Sequence, residues 1–163
     1  GRLWVGRVEW SGESYVESET VGGGEAGSVV DTPCGRLGRA VCYGLRFPEL
    51  SRRLIDEGAE RIALPAAFTA VTGRAHWEVL VRARAIENLC YVVASAQGGY
   101  HVNGRETHGD SMVVDPWGVV MDRLPRGSGV VMAETDRDRL QRLRRTFPAL
   151  EHRRLSCTVG GRD

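Results

Sequence analysis

Residues 38–50 read GRAVCYGLRFPEL, a stretch that predicts a strand, a sharp turn and a helix in succession. A short apolar run ends at Cys42, a Tyr-Gly pair follows, and residues 47–50 begin a helical pattern with Pro in its first turn. This geometry lifts one side chain clear of the backbone and turns backbone N–H groups towards whatever that side chain attacks. Cys42 stands at the corner, where an activated thiol is a nucleophile. On local sequence alone, a small buried cysteine at a strand end is the commoner case.

Length, charge and cysteine spacing narrow the class of protein. The 163 residues are enough for one domain with a buried core. The 22 basic and 21 acidic residues nearly balance, so the charge indicates neither a nucleic-acid nor a membrane partner. No apolar run is long enough to span a bilayer and no signal-peptide pattern opens the chain, so we expect a soluble cytoplasmic protein. Wide spacing predicts free thiols and no metal site for the four cysteines, which are Cys34, Cys42, Cys90 and Cys157.

Strand-like and helix-like patterns alternate along the chain. The predicted strands are 28–31, 37–42, 61–65, 91–96, 110–114, 119–122 and 129–134. The predicted helices are 48–57, 75–89 and one that begins near Asp136, with a loop at 68–73. The strands lack polar alternation, which indicates a sheet buried on both faces and hence a layered α/β fold. Residues 1–27 are typical of a surface arm, and residues 155–163 of a disordered tail.

Several short motifs follow one another in the order of a known enzyme family. Besides the stretch around Cys42, they are TGRAHWE at 72–78, RARAIEN at 82–88, YVVA at 91–94, GDS at 109–111 and DPWG at 115–118. On these motifs the chain resembles the nitrilase superfamily of carbon–nitrogen hydrolases, and within it the Nit branch with its deaminated glutathione amidases. The resemblance covers almost the whole chain. It implies that residues 1–154 form the C-terminal portion of an α-β-β-α sandwich.

The resemblance also implies a catalytic set for opening an amide bond. The family uses a cysteine nucleophile, a glutamate that carries protons, a lysine that stabilises the oxyanion, and a second glutamate. Matched residue by residue, Cys42 is the nucleophile, the backbone N–H of Tyr43 an oxyanion donor, and Glu17 the second glutamate. This chemistry needs no cofactor and no metal.

The sequence departs from the family pattern at several points. Arg2 stands at the lysine position, where a guanidinium keeps its charge but cannot pass on a proton. Gly44 replaces the usual Asp after the nucleophile, and Trp4 replaces a His. The general-base glutamate has no counterpart, so the resemblance implies roughly the C-terminal half to two thirds of a nitrilase domain.

Three further residues are candidates for substrate binding. Arg46 either holds a substrate carboxylate or pairs with Glu49 and so supports the strand–turn–helix segment at residues 38–50, called the elbow below. The sequence leaves both open. Phe68 and Thr69 resemble residues that line the family's substrate pocket, although a loop at a strand end suits them equally well.

Other polar residues have simpler interpretations. Glu78 and Glu87 stand at helical spacing from Arg82 and Arg84, which predicts ion pairs rather than catalysis. A Cys–His protease is set aside, since no motif around Cys42 supports it, although the chain has candidate histidines at His76, His101 and His108.

The resulting hypothesis is a hydrolase that cleaves the amide bond of a small molecule through a cysteine thioester, as deaminated glutathione amidases do. An ω-amidase acting on small dicarboxylate monoamides is the nearest alternative. Arg2 and the unmatched glutamate favour a third possibility, an inactive fragment or pseudoenzyme that serves as a dimerising module. Apolar residues on more than one side of the 75–89 helix predict a homodimer or higher homo-oligomer.

Overall fold

The computed structural model describes residues 28–102 and 104–156 in full, and the backbone of residues 7–10 and 13–16. Within these ranges the chain forms strands and helices in the order β1 (Arg7–Trp10), β2 (Glu13–Val16), β3 (Ser28–Thr32), β4 (Gly35–Arg39), α1 (Pro48–Asp56), β5 (Arg61–Ala66), α2 (Ala70–Asn88), β6 (Tyr91–Ala96), β7 (Gly98–Tyr100), β8 (Glu106–His108), β9 (Ser111–Val114), β10 (Val120–Leu124) and α3 (Arg137–Thr146). A 3₁₀ helix, Cys42–Arg46, lies between β4 and α1. None of the described helices is both long and apolar enough to cross a bilayer.

Six strands form a mixed sheet in the order β10-β9-β6-β5-β4-β3. The three central strands β4, β5 and β6 are parallel, whereas β3, β9 and β10 run antiparallel to their neighbours. Because parallel strands end at the same edge of a sheet, the segments that follow β4 and β5 lie side by side. Cys42 follows β4 and Phe68 follows β5, so the topology brings both to this edge.

The core forms between this sheet and helices α1 and α2. Leu54 from α1 and Trp77, Val81 and Ala85 from α2 are completely buried in one apolar cluster with the strand residues. Gly38 allows α1 to lie against β4, since a Cβ there would come within 3.1 Å of the Leu54 side chain. The layered α/β fold class predicted from the sequence is confirmed.

Helix α3 covers the opposite edge of the sheet, where β5 and β6 begin. Glu60 is buried there and accepts a hydrogen bond from Nε of Arg137 over 2.9 Å. Arg144 donates to the backbone carbonyls of Leu89 and Ala59, 2.9 and 3.1 Å away, and burial lowers the pKa of its guanidinium. These contacts satisfy the polar groups that burial would otherwise leave unpaired.

Most predicted elements occur within a residue or two of their expected ends. The helix 48–57, the strands 28–31, 61–65 and 91–96, and the hairpin around residues 115–118 are confirmed. Strand β4 ends at Arg39 rather than at residue 42. The reason is that the chain turns into the 3₁₀ helix, although the Ala40 N–H still donates to the Ala63 carbonyl over 3.0 Å.

The start of α2 was predicted wrongly. The helix begins at Ala70, within the segment expected to be a loop, and the side chain of Thr69 caps it by accepting from the Thr72 N–H over 3.4 Å. Gly73 suggested a break, but it lies inside the helix. A Cβ at this position would come within 2.2 Å of the His108 Cβ, so the glycine permits close packing and does not end the helix.

The predicted strand 129–134 is also wrong. This segment pairs with no strand in the described part of the chain, and Val130 and Met132 are exposed. The Met132 N–H donates to a carboxylate oxygen of Asp122 over 2.7 Å, so a side chain replaces a neighbouring strand as its acceptor. The hairpins β1–β2 and β7–β8 were not predicted. Residues 157–163 lie outside the described ranges, and the disordered tail stays a prediction.

Candidate active site

Cys42 occupies the corner between β4 and α1, at the first residue of the 3₁₀ helix. Its φ of +42° lies in the left-handed region, which is sterically costly for a residue with a side chain. The Gly44 N–H donates to the Val41 carbonyl over 2.8 Å, and the Phe47 N–H donates to the Gly44 carbonyl over 3.1 Å. These bonds hold the strand–turn–helix geometry that the sequence indicated.

The thiol and a backbone donor lie next to each other in this turn. Cys42 is half-buried against the core. The first N–H groups of a helix have no acceptor inside it, and no hydrogen bond within the described chain takes up the Tyr43 N–H. The turn therefore combines a nucleophilic side chain with a backbone donor that could stabilise negative charge.

Gly44, a departure from the family pattern, has a local packing role. The residue is buried, and a Cβ there would lie 2.9 Å from Cδ2 of Leu50. A larger side chain would require Leu50 to shift. The glycine therefore lets the 3₁₀ helix pack directly against α1.

Arg84 fixes the same turn from the side of α2. Its Nε donates to the Leu45 carbonyl over 2.9 Å, and its Nη1 lies 2.9 Å from a carboxylate oxygen of Glu87. The Arg84–Glu87 ion pair is the one predicted from helical spacing. The bond to Leu45 was missed, because it joins residues 39 positions apart and carries no local sequence signal.

Arg46 extends from the end of the 3₁₀ helix onto aromatic rings. Its guanidinium carbon lies 4.8 Å from the centre of the Phe68 ring and 5.9 Å from that of Tyr43. Its Nη1 is 3.2 Å from Nδ1 of His76. Burial lowers the pKa of Arg46, and the nearby Tyr43 and Cys42 oppose this shift. Glu49 is exposed, and no ion pair joins it to Arg46 in the described part of the chain, so the structure gives no support to a buttress against Glu49.

Phe68 and Thr69 follow β5 but differ in what they contact. Phe68 is buried, and its ring packs edge-to-face against Trp77 with a centroid distance of 5.1 Å while its other side carries Arg46. Thr69 caps α2, and its Oγ1 is 2.9 Å from Oγ1 of Thr72. The structure brings Phe68 to the elbow and assigns the Thr69 side chain a structural contact.

The remaining polar candidates take part in structural contacts. Glu78 pairs with Arg82 at 3.6 Å, as predicted, and also with Arg123. The hydrogen bond from Arg123 is the main cause that lowers the pKa of Glu78. Nε2 of His101 lies 2.9 Å from Oγ1 of Thr107.

His108 lies beside Asp110, and the described residues form no metal site. Nε2 of His108 is 3.9 Å from a carboxylate oxygen of Asp110, and burial lowers the pKa of this histidine. Across the described ranges, no group of three or more His, Cys, Asp or Glu side chains could hold a metal ion.

Two residues of the expected catalytic set, Arg2 and Glu17, lie outside the described residues, as does Trp4. Their roles stay predictions. Of the set, the structure therefore describes the thiol of Cys42 and the backbone of Tyr43.

Known proteins resemble this chain in both sequence and fold. The family model for carbon–nitrogen hydrolase matches residues 2–145. Deaminated glutathione amidase of Bos taurus is 52% identical over 147 residues, an alignment that covers 90% of this chain and 45% of the relative. The chain thus spans less than half the length of this relative.

Solved structures of other proteins have a similar fold. The crystal structure of the Caenorhabditis elegans NitFhit protein superposes with a TM-score of 0.88 and 46% identity, covering 94% of this chain and 38% of that one. A mutant of the amidase from Nesterenkonia sp. AN1, with acrylamide joined to its active-site cysteine by Michael addition, gives a TM-score of 0.67 and 27% identity over 83% of this chain and 56% of its own. The predicted nitrilase-type fold is confirmed, and the chain belongs to the carbon–nitrogen hydrolase family.

Proposed function

We propose that Cys42 is the nucleophile of an amidase that cleaves the carbon–nitrogen bond of a small-molecule amide. The observation that carries this proposal is the position of Cys42, held at a positive φ at the start of the 3₁₀ helix, beside the Tyr43 N–H and near Arg46. The Nesterenkonia amidase, a family relative, has an active-site cysteine that forms a carbon–sulfur bond with an amide-bearing reagent. The free thiols of Cys34, Cys42 and Cys90 fit a cytoplasmic setting.

The proposed reaction has two halves. The Cys42 thiolate attacks the amide carbonyl carbon, a C–S bond forms, and the carbonyl electrons move onto oxygen, where the Tyr43 N–H stabilises the charge. The electrons return, the C–N bond breaks, and the leaving nitrogen takes up a proton. Water then attacks the thioester carbon, which releases a carboxylic acid and restores the thiol. Glu17, as the second glutamate, supports the proton transfers, and Arg2 offers positive charge in place of the family lysine.

The substrate proposed is an amide that also carries a carboxylate. Arg46 and Phe68 form one wall beside Cys42, and a guanidinium binds a carboxylate through two parallel hydrogen bonds. Deaminated glutathione, the substrate in the name of the Bos taurus relative, belongs to this class and is the first choice. A small dicarboxylate monoamide, the substrate of an ω-amidase, belongs to it as well.

A second candidate function is a dimerising module without activity. Val79 and Ile86 on the outer face of α2 are 68% and 47% exposed, and apolar exposure of this kind is typical of an interface with another chain. We propose a homodimer in either case. The two candidates differ only in whether Cys42 turns over an amide.

Ammonia release from glutamine-like amides tests the proposal. The family's general-base glutamate has no match in these 163 residues, so the chain is assayed alone and joined to the N-terminal half of the Bos taurus relative. We expect the chain alone to be slower by about 10²–10⁴-fold, because proton transfer contributes that much. Cys42→Ala should abolish release by the joined chain, with Cys34→Ala as the matched control. Turnover that survives Cys42→Ala, or an acyl group trapped on another cysteine, would overturn the proposal.

A further inference from the structure

Two residues from different elements hold one another beside the candidate nucleophile. Arg46 lies at the end of the 3₁₀ helix and His76 lies in α2, 30 positions further along the chain. Nη1 of Arg46 is 3.2 Å from Nδ1 of His76, while the guanidinium carbon lies 4.8 Å from the centre of the Phe68 ring. The flexible side chain of Arg46 is thus held by the Phe68 ring and by the His76 imidazole.

The chemistry of the two groups decides which atom carries the proton. A guanidinium has only donors, so Nδ1 of His76 must accept the hydrogen bond. An imidazole that accepts through Nδ1 is neutral and carries its proton on Nε2. His76 therefore orients Arg46 without adding a second positive charge.

The contact leaves most of the guanidinium available. Arg46 has five N–H donors, and within the described chain His76 is the hydrogen-bond partner of one nitrogen, Nη1. The remaining donors are enough for a two-point contact with a carboxylate. Cys42 and Arg46 are the first and last residues of the same five-residue 3₁₀ helix. A small molecule whose carboxylate binds Arg46 could therefore also reach the thiol.

We infer that His76 is a positioning residue, which fixes the guanidinium of Arg46 over Phe68 so that the Cys42 site prefers molecules carrying a carboxylate. This inference rests on the proposed function for its substrate, but the geometry and its test involve only Cys42, Arg46 and His76. Fixing a flexible side chain before binding lowers the entropy lost when the ligand arrives. Without the His76 acceptor, Arg46 samples other rotamers, and the preference of the Cys42 site for carboxylate-bearing molecules weakens.

Alkylation of Cys42 in the full chain provides a test that needs no turnover. Iodoacetate and iodoacetamide both react with the thiolate. The rate with iodoacetate divided by the rate with iodoacetamide therefore does not depend on the fraction of Cys42 that is ionised. This ratio reports how strongly the site favours the carboxylate. The ratio at Cys42 is measured by peptide mass mapping and divided by that at the exposed Cys34 of the same molecule. We expect a normalised ratio of about ten or more, the gain from a charge-assisted contact, and Arg46→Gln should bring it to about one.

Substitutions at His76 distinguish an effect on the position of Arg46 from an effect on the stability of the fold. His76 is exposed, so its replacement should leave the fold intact, as circular dichroism can verify. His76→Ala should lower the normalised ratio by about three- to tenfold, the effect of losing one hydrogen bond. His76→Asn should restore it, because its side-chain oxygen occupies the place of Nδ1. Glu49→Gln, also exposed and with no ion pair to Arg46 in the described chain, is the matched control and should have no effect.

Each other outcome contradicts the inference. A normalised ratio of one in the unmodified chain, or no reaction of Cys42 with iodoacetate, shows that no carboxylate is preferred. An unchanged ratio in His76→Ala, or no recovery in His76→Asn, shows that His76 does not position Arg46. Failure of the proposed function looks different, since ammonia release would be missing while the iodoacetate preference and its dependence on His76 persist.

Discussion

Nε of Arg84 lies 2.9 Å from the carbonyl oxygen of Leu45, and this hydrogen bond fastens the 3₁₀ helix of the elbow to α2. Arg84 is buried, and its other end is held by Glu87. The residue therefore transmits the position of α2 to the turn that begins at Cys42.

Replacing Arg84 with Met should loosen this turn and destabilise the fold. Arg84→Met keeps most of the side-chain length but leaves the Leu45 carbonyl without its donor, which should cost about 2 kcal/mol in the free energy of unfolding. Urea unfolding measures the loss, and alkylation of Cys42 should slow in parallel. Arg74→Met, an exposed site on the same helix, is the matched control and should change stability by less than about 0.5 kcal/mol. Equal effects of the two substitutions would contradict the assignment.

The positive φ of Cys42 predicts an unusual order of stability between two variants. Glycine is normally less stable than alanine in an ordered segment, but it adopts the left-handed region without steric cost. We therefore expect Cys42→Gly to be more stable than Cys42→Ala by about 1 kcal/mol in urea unfolding. At the exposed Cys34, whose φ is not positive, alanine should be at least as stable as glycine. The usual order at both positions would show that Cys42 is not strained.

The buried thiol of Cys90 should make stability fall in alkaline solution. Burial raises its pKa to about 12, although the nearby Arg144 opposes the shift. The unfolded thiol ionises at its ordinary value near 9, so above that pH the unfolded state releases a proton that the folded state retains. This contribution is fully present below about pH 9 and is lost as the pH rises towards 12, by about 1 kcal/mol at pH 10.

Urea unfolding at about pH 8 and about pH 10 measures this effect. Cys90→Ala should show a smaller loss between the two conditions than the unmodified chain. Cys34→Ala, which removes an exposed thiol, should keep the full loss. If Cys90→Ala loses as much stability as the unmodified chain, the alkaline sensitivity comes from other groups.

The exposed apolar face of α2 predicts self-association. Val79 and Ile86 lie on one stripe of α2 and are 68% and 47% exposed, and Ala83 between them is half-buried. Analytical ultracentrifugation at micromolar concentration should therefore detect a dimer, and Val79→Glu should shift it to monomer, because a buried unpaired carboxylate is costly. Val102→Glu introduces the same charge at an exposed valine outside α2 and should leave the dimer intact. A compact monomer of the unmodified chain would exclude this interface.

Local pattern predicted a large part of this fold and only some of the candidate site. Pro48 at a helix start, the apolar run of β6 and the turn at residues 115–118 are signals contained within a few residues, and all three were confirmed. The beginning of α2 was missed because the role of Gly73 is set by His108, a contact far along the chain. The strand at 129–134 failed because strand propensity specifies no partner, and a strand needs one.

In the candidate site too, local features were predicted from the sequence and contacts between distant residues were not. The elbow at Cys42 follows from residues next to it, and the sequence located it. The contacts of Arg84 with Leu45 and of Arg46 with His76 join residues 39 and 30 positions apart, so no local pattern indicated them. Arg2 and Glu17 were inferred from family resemblance alone, and both stay predictions.

The described chemical groups around the elbow have one further property in common. Cys42, Arg46, Phe68 and His76 all lie on the continuous segment that runs from β4 through α1 and β5 into the first turns of α2. Grafting this one segment from one family member into another would therefore transfer the thiol, the guanidinium, the aromatic ring and the imidazole of these four residues together. The recipient would still have to supply Arg84, which holds the turn from further along α2. Under the inference made above, exchange of this one segment between relatives would carry the carboxylate preference with it.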